Sequence, residues 1–291
     1  MENAMFIRLL FLSTLVLFLL SRLDRRRVKA FMRFFAVRVC RRLLTFLSEP
    51  YQNRFDACVV SAPHQDDETI GCGALIARKR SEGVPVHVIF ITDGSASHPR
   101  HPELSSADVR AQRRREAYEA LGILGVESNA IHFLDEADGA LNHLTEERQA
   151  SLVSRLRVLL ERIRPGEVFL PCNPDGSSEH DAAFGFICAA LQETALRPDI
   201  WQYPVWSWWN PLLLIERIVF TQGRCMQSTE DFGPMKRHAL SRYRSQVEAV
   251  PPWSKPTLPP ELVRIFNTDA EYFFRYILPP RGTGASHRSV I

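Results

Sequence analysis

The sequence contains no Cys-x-x-Cys pair, and its six cysteines are scattered along the chain. That spacing excludes a thiolate zinc site and supplies no disulfide framework, as a reduced compartment permits. A Gly-x-Gly-x-x-Gly fingerprint is also missing, and the lone Gly71-Cys72-Gly73 is weak as a dinucleotide signal. No internal repeat or low-complexity segment is present. Acidic residues are nearly absent from one region: residues 22–42 hold nine Lys/Arg against a single acid, Asp24. The whole chain carries only +3, so the remainder is mildly acidic. A nucleic-acid binder spreads its basic face over the folded domain, so no nucleic-acid partner is expected. With 291 residues, 45% of them hydrophobic, the chain can build one large domain or two modest ones.

What is present begins with an apolar stretch, "AMFIRLLFLSTLVLFLL" (4–20), broken only by Arg8, Ser13 and Thr14. A cleaved signal peptide has positive charge before its apolar core and small residues after it. Here the charge follows, as "SRLDRRRVK", so the segment reads as a retained transmembrane anchor. Positive flanks stay cytoplasmic, which puts the body of the protein on the cytoplasmic face. In "AFMRFFAVRVCRRLLTFL" (30–47), Phe31, Phe34, Phe35, Val39, Leu43 and Phe46 fall roughly on one helical face among arginines. Such a helix either lies on anionic headgroups or packs on the following domain with its arginines solvated.

From residue 55 onward strands and helices alternate. The apolar runs 56–62, 86–92, 131–134 and 167–171 read as strands, and 69–82, 105–124, 144–164 and 181–195 as helices. Repeated units with near-continuous apolar strands predict a mainly parallel sheet with helices on both faces. Ligands bind such sheets beyond the carboxyl ends of the strands. "PHQDDE", "TDGSASHP" (92–99) and "NPDGSSEHD" (173–181) all fall there, so three polar loops converge on one end of the sheet.

Three adjacent carboxylates, Asp66, Asp67 and Glu68, repel one another and resist burial unless a cation or hydrogen-bond donors offset them. His64 and Asp67, three residues apart, can offer a nitrogen and an oxygen to one metal, and His180 a third ligand. Two histidines and a carboxylate with one position left for water is the general form of a catalytic zinc site. Asp66, beside a ligand but pointing elsewhere, is placed to act as general base. Glu68 opens the next helix, where it can cap amides and fix the turn. Asp93, at the end of the second strand, is expected to orient the site.

"APHQDDETIGCGALIA" resembles the signature of the PIG-L/LmbE-like zinc de-N-acetylases. The resemblance continues through "FITDG" (90–94), "RRREAYEALGILG" (113–125), "FLDEADGAL" (133–141), the His180 loop and "KRHALSRYRSQ" (236–246). It implies a Rossmann-like α/β fold, one Zn2+, and hydrolysis of an N-acetyl group, usually on an N-acetylglucosamine-containing glycoconjugate. By motif position it assigns zinc to His64, Asp67 and His180, the base to Asp66, and sugar contacts to Arg113 and Asp138. Ser177 and Glu179 stand where the family often has His and Asp, and Tyr243 where it often has His before Arg-Ser-Gln. Oxyanion stabilisation must then come partly from elsewhere, with zinc, Ser177 or Tyr243 as candidates.

The expected organisation is an anchor at 1–21, a basic amphipathic juxtamembrane segment at 22–50, the deacetylase domain at 51–250 and a C-terminal extension at 251–291. His98 and His101 are expected on a solvated or substrate-gating loop rather than on a second metal. Trp201 and Val205 belong to the core, while the remaining "WSWW" suits sugar stacking or a membrane interface. The leading expectation is a membrane-anchored zinc deacetylase of a lipid-linked amino sugar. The alternatives are an amidase of a soluble thiol or glycoside, and a glycolipid-binding homologue without turnover.

Overall fold

A computed structural model describes residues 25–221 and 223–279. The chain runs α1 (Arg25–Leu47), β1 (Glu49–Pro50), β2 (Cys58–Ala62), α2 (Asp67–Ser81), β3 (Val86–Thr92), α3 (Ser106–Ile123), β4 (Ile131–Glu136) and α4 (Glu146–Ile163). It continues through β5 (Glu167–Pro171), α5 (Ser178–Gln192), β6 (Asp199–Tyr203), α6 (Pro211–Phe220), β7 (Arg224–Ser228), α7 (Gly233–Leu240), α8 (Arg244–Val247), α9 (Pro260–Phe266) and β8 (Ala270–Tyr276). The eight strands form one sheet in the order β1-β7-β8-β6-β5-β2-β3-β4. From β6 to β4 all pairings are parallel, whereas β8 runs antiparallel to both β6 and β7.

The central strands are apolar on both sides because both sides are covered. In β2, Cys58, Val60 and Ala62 enter one core and Val59 the other; in β3, Val88 and Phe90 oppose Ile89 and Ile91. The second core is closed by α4 and α5, the former through Leu152, Leu156, Leu159 and Leu160 at helical spacing. Local signals set the helix ends: a capping box joins Ser105 and Asp108 before α3, and Thr145 accepts from the Arg148 amide before α4. Gly71 has a specific task. A Cβ there would lie 2.2 Å from Tyr203 Cδ2, so only glycine lets α2 approach β6 this closely. Beneath α2, Lys79 and Glu167 form a fully buried ion pair at 2.6 Å, and Tyr51 donates to the same carboxylate.

The sheet corrects the expected boundaries. β8 lies between β6 and β7, so residues 270–276 are interior to the same sheet and not a separate extension. At the other end, β1 pairs with β7, and α1 buries Val37, Cys40 and Leu44 in the main core. The expected anchor at 1–21 lies outside the described residues. Among the described residues no helix is long and apolar enough to cross a membrane.

Candidate active site

The parallel strand order diverges between β2 and β5: β3 and β4 lie to one side, β6 to the other. Loops leaving β2 and β5 at this point are free to enclose a ligand. They carry His64, Asp66 and Asp67 on one side and Asp175 to His180 on the other. With Asp138 from the loop after β4 they surround a cavity of about 630 Å³, whose lining includes Arg113, Ser177, Trp206, Gln246 and Leu258.

Three ligand atoms meet at its floor. His64 Nδ1 is 3.1 Å and His180 Nε2 3.3 Å from Asp67 Oδ2. Zinc–ligand bonds of about 2.0–2.1 Å in a tetrahedron separate neighbouring donors by about 3.3 Å, so the spacing suits such an ion. Each imidazole is fixed from its far side. His64 Nε2 donates to Glu179 Oε2 at 2.8 Å and lies 3.2 Å from Asp138 Oδ1. His180 Nδ1 donates to Asp175 Oδ2 at 2.8 Å. Carboxylates only accept, so these bonds place the protons on Nε2 of His64 and Nδ1 of His180. The opposite nitrogens face Asp67, where they would offer lone pairs to a bound cation; without one, His64 Nδ1 donates to Asp67 Oδ2 at 3.1 Å. His180 Nε2 is wholly buried and has no hydrogen-bond partner, despite its distance to Asp67. A cation or extra protons must fill this gap.

The electrostatics agree. Burial opposes charge on His180, but Asp67 and Asp175 outweigh it and lift its pKa to about 9. Burial likewise opposes charge on His64, yet its bonds to Asp138, Asp67 and Glu179 hold its pKa well above the ordinary value. Asp67 is held far below the carboxylate range: burial raises its pKa, but the two histidines dominate. Asp66 goes the other way. Burial pushes it up to about 7, against the pull of Arg113 and with the push of Asp67.

Asp66 sits at φ 149°, a conformation that side-chain-bearing residues rarely adopt. Several bonds hold the turn. The Asp66 amide donates to Glu68 Oε2 at 3.0 Å, and Arg113 Nη2 donates to Gln65 O at 2.6 Å while lying 3.4 Å from Asp66 Oδ1. Glu68 is in turn gripped by Thr69 and by Tyr243, whose hydroxyl donates to Oε1 at 2.5 Å. Tyr243 is fully buried, so its hydroxyl is spent on Glu68 and is no oxyanion donor.

The structure brings His64, Asp66, Asp67, Arg113, Asp138 and Ser177 to one cavity, with His180 fully buried against Asp67. Asp93, expected to orient the site, lies behind the cavity: Oδ1 accepts from the amides of Ser95 and Asp138, and Oδ2 pairs with Arg110. Through the Asp138 amide it holds the backbone of a residue that lines the cavity. His98 and His101 are not solvated. His98 stacks on Trp253 at 5.3 Å, and His101 donates to Pro251 O, which pins the proline-rich segment beside the cavity. Of the aromatic cluster, Trp208 is buried and Trp206 lines the cavity. Sequence reasoning missed Asp175 and Glu179 as partners of the histidines. Their signal was slight, a carboxylate five residues and one residue before His180.

Residues 59–191 match the family model described as PIG-L: GlcNAc-PI de-N-acetylase. The diacetylchitobiose deacetylase of Thermococcus kodakarensis is 30% identical over 125 residues, which cover 43% of this chain and 43% of that protein. The chain thus spans under half the length of that relative. Among solved structures, the conserved protein TT1542 of Thermus thermophilus superposes with a TM-score of 0.54 at 24% identity, covering 78% of this chain and 96% of that one. The N,N'-diacetylchitobiose deacetylase of Pyrococcus horikoshii gives 0.55 at 19% identity, covering 87% and 94%. These two show a shared fold. The first two strand–helix units, β4, and the β5 loop with its histidine therefore constitute a PIG-L-family domain, spanning residues 59–191.

Proposed function

We propose that the protein is a zinc-dependent N-deacetylase that hydrolyses the acetamido group of an N-acetylglucosamine-type sugar carried on a lipid-linked or cell-envelope glycoconjugate. One observation carries the reading: a buried, unpartnered His180 Nε2 faces Asp67 and His64 with zinc-like spacing, directly beside Asp66 and at the floor of an open cavity. His64, Asp67 and His180 would hold the metal. Zinc bound there lowers the pKa of water to about 7 and polarises a carbonyl oxygen.

The chain's own residues supply the rest. Asp66, with its pKa raised to about 7, is suited to take a proton from the attacking water and return it to the departing sugar amine. Arg113 holds the Gln65–Asp66 turn and so fixes the direction of that carboxylate. Asp138, bonded through Oδ2 to the Ala96 amide, presents its edge to the cavity where sugar hydroxyls would lie. Ser177 offers a neutral hydroxyl at the cavity wall, and its side chain does not cap α5. Trp206 supplies an aromatic face for a sugar ring. The apolar segment at 4–20 and its basic flank favour an anchored protein with its body on the cytoplasmic side.

Acetate release from N-acetylglucosamine on a lipid carrier, compared with soluble diacetylchitobiose, tests this reading. Faster release from the lipid-linked substrate is expected. Preference for the soluble sugar would remove the lipid from the assignment, and release from neither would remove the deacetylase.

A further inference from the structure

The apolar stripe that the sequence picks out on α1 is not the face that the domain buries. Val37, Cys40 and Leu44 point into the core. Phe31, Phe34, Phe35, Val39, Leu43 and Phe46 point away from it, with Phe46 86% exposed. A second element repeats the pattern about 170 residues later. α6 packs against α1 and buries Leu214 and Ile218, yet leaves Leu212, Ile215 and Val219 exposed at i, i+3 and i+7. Arg33 of α1 also lies 3.9 Å over the ring of Trp209, two residues before α6 begins. Two helices from distant parts of the chain, packed on each other, therefore each display apolar residues to solvent.

We infer that the exposed faces of α1 and α6 together form a seat on an anionic lipid bilayer, which holds the folded domain against the membrane and not merely near it. The charge of α1 selects this occupant. α1 contains no acidic residue, and its exposed Arg38 and Arg42 stand among the aromatic residues. Long arginine stems can lie along apolar surface while their heads reach lipid phosphates. The 17-residue apolar run at 4–20 ends four residues before α1, whose sequence opens with the basic 25–27 triplet, so bilayer-seeking sequence leads into this face.

The seat adjoins the active-site rim. A Cβ on Gly176 would lie 3.5 Å from Leu213 Cδ1 in the first turn of α6, and Gly176 and Trp206 both line the cavity. α6 would thus bring the cavity mouth to the headgroup layer. Only that link to a lipid-borne substrate rests on the function proposed above; the docking does not.

The test uses the full chain, one copy per nanodisc of phosphatidylcholine and phosphatidylglycerol with brominated acyl chains. All six native cysteines are buried, so an environment-sensitive fluorophore can be directed to Val219→Cys, to Phe35→Cys, or to Glu161→Cys on α4 as a control. The labels at 219 and 35 should lose at least half of their emission to the bromolipid, and the label at 161 none. Arg38→Glu with Arg42→Glu should reduce the quenching at 219. A water-exposed, unquenched label at 219 would overturn the inference. So would a label shielded from water but unquenched, because residues 1–24 of the chain itself would then cover the face. Quenching is read without turnover, so an inactive enzyme leaves this result standing.

Discussion

Replacing Asp175 with asparagine should weaken metal binding at the site while changing none of the proposed ligands. The Asp175 carboxylate is fully buried and accepts on both oxygens. Oδ1 takes the Val205 and Ser207 amides and the Ser207 hydroxyl; Oδ2 takes the Trp206 amide at 3.0 Å and His180 Nδ1 at 2.8 Å. An asparagine must turn its NH2 toward one of these groups of donors. Backbone amides cannot change their role, whereas an imidazole can exchange its tautomer. The NH2 therefore faces His180, whose Nδ1 becomes the acceptor and whose proton moves to Nε2. The lone pair that His180 directs at Asp67 is then lost. Changes at such supporting partners typically weaken metal affinity about 10–100-fold, or about 1.4–2.8 kcal/mol. The Trp206 amide is also left facing a donor, so a stability loss of about 1–3 kcal/mol should accompany it. Zinc titration against a competing chelator reads the affinity, and thermal unfolding of the metal-free protein reads the stability separately. Native metal affinity in a destabilised Asp175→Asn protein would refute the reasoning, because Asp175 would then be a fold clamp with no hold on the His180 tautomer.

Other perturbations reach other parts of the molecule. Glu167→Ala leaves Lys79 buried without its counter-charge and should lower stability by about 3–5 kcal/mol in denaturant unfolding; a loss below about 1 kcal/mol would mean that water or Asn53 compensates. Burial, and then its stacked neighbour His87, depress His132 to about 4. Its folded pKa lies below the unfolded value near 6.5, so the unfolded chain binds more protons between these limits and stability falls as pH drops from about 6.5 to 4. His132→Gln should flatten the acid side of the pH–stability curve, and an unchanged slope would exclude this pair as its source. Ser177→His should raise turnover and add an inflection near neutral pH, since one well-placed oxyanion donor is worth about 10²–10³ in rate. A slower Ser177→His enzyme would show that the serine serves substrate fit instead.

Much of the fold is legible because β2, β3 and β5 are buried on both faces and so read as unbroken apolar runs. Their order in the chain, with helices between, leaves a parallel sheet as the consistent arrangement. β8 escaped notice for the opposite reason. Its place between β6 and β7 is a long-range pairing that follows a proline-rich stretch, and no local periodicity encodes it. The stripe on α1 was visible, but periodicity cannot tell whether an apolar face meets protein or lipid. In the site, His64, Asp67 and His180 stood out because strand ends collect function. Asp175 and Glu179 did not, since a carboxylate beside a glycine or at a helix start looks like ordinary turn or cap chemistry. Tyr243 looked like a substitute for a catalytic histidine because its line to Glu68 crosses 175 residues. His98 looked solvated because Trp253, which covers it, arrives from the far end of the domain.

In the proposed reaction Asp66 works on a substrate held beside a metal that His64, Asp67 and His180 retain. Metal content and acetate release measured on the same preparation of Asp66→Asn test it most directly. The variant should keep one equivalent of zinc and lose about 10²–10⁴ of the wild-type rate, because an amide cannot take the water's proton. Full zinc occupancy with a near-native rate would show that a group other than Asp66 takes the proton.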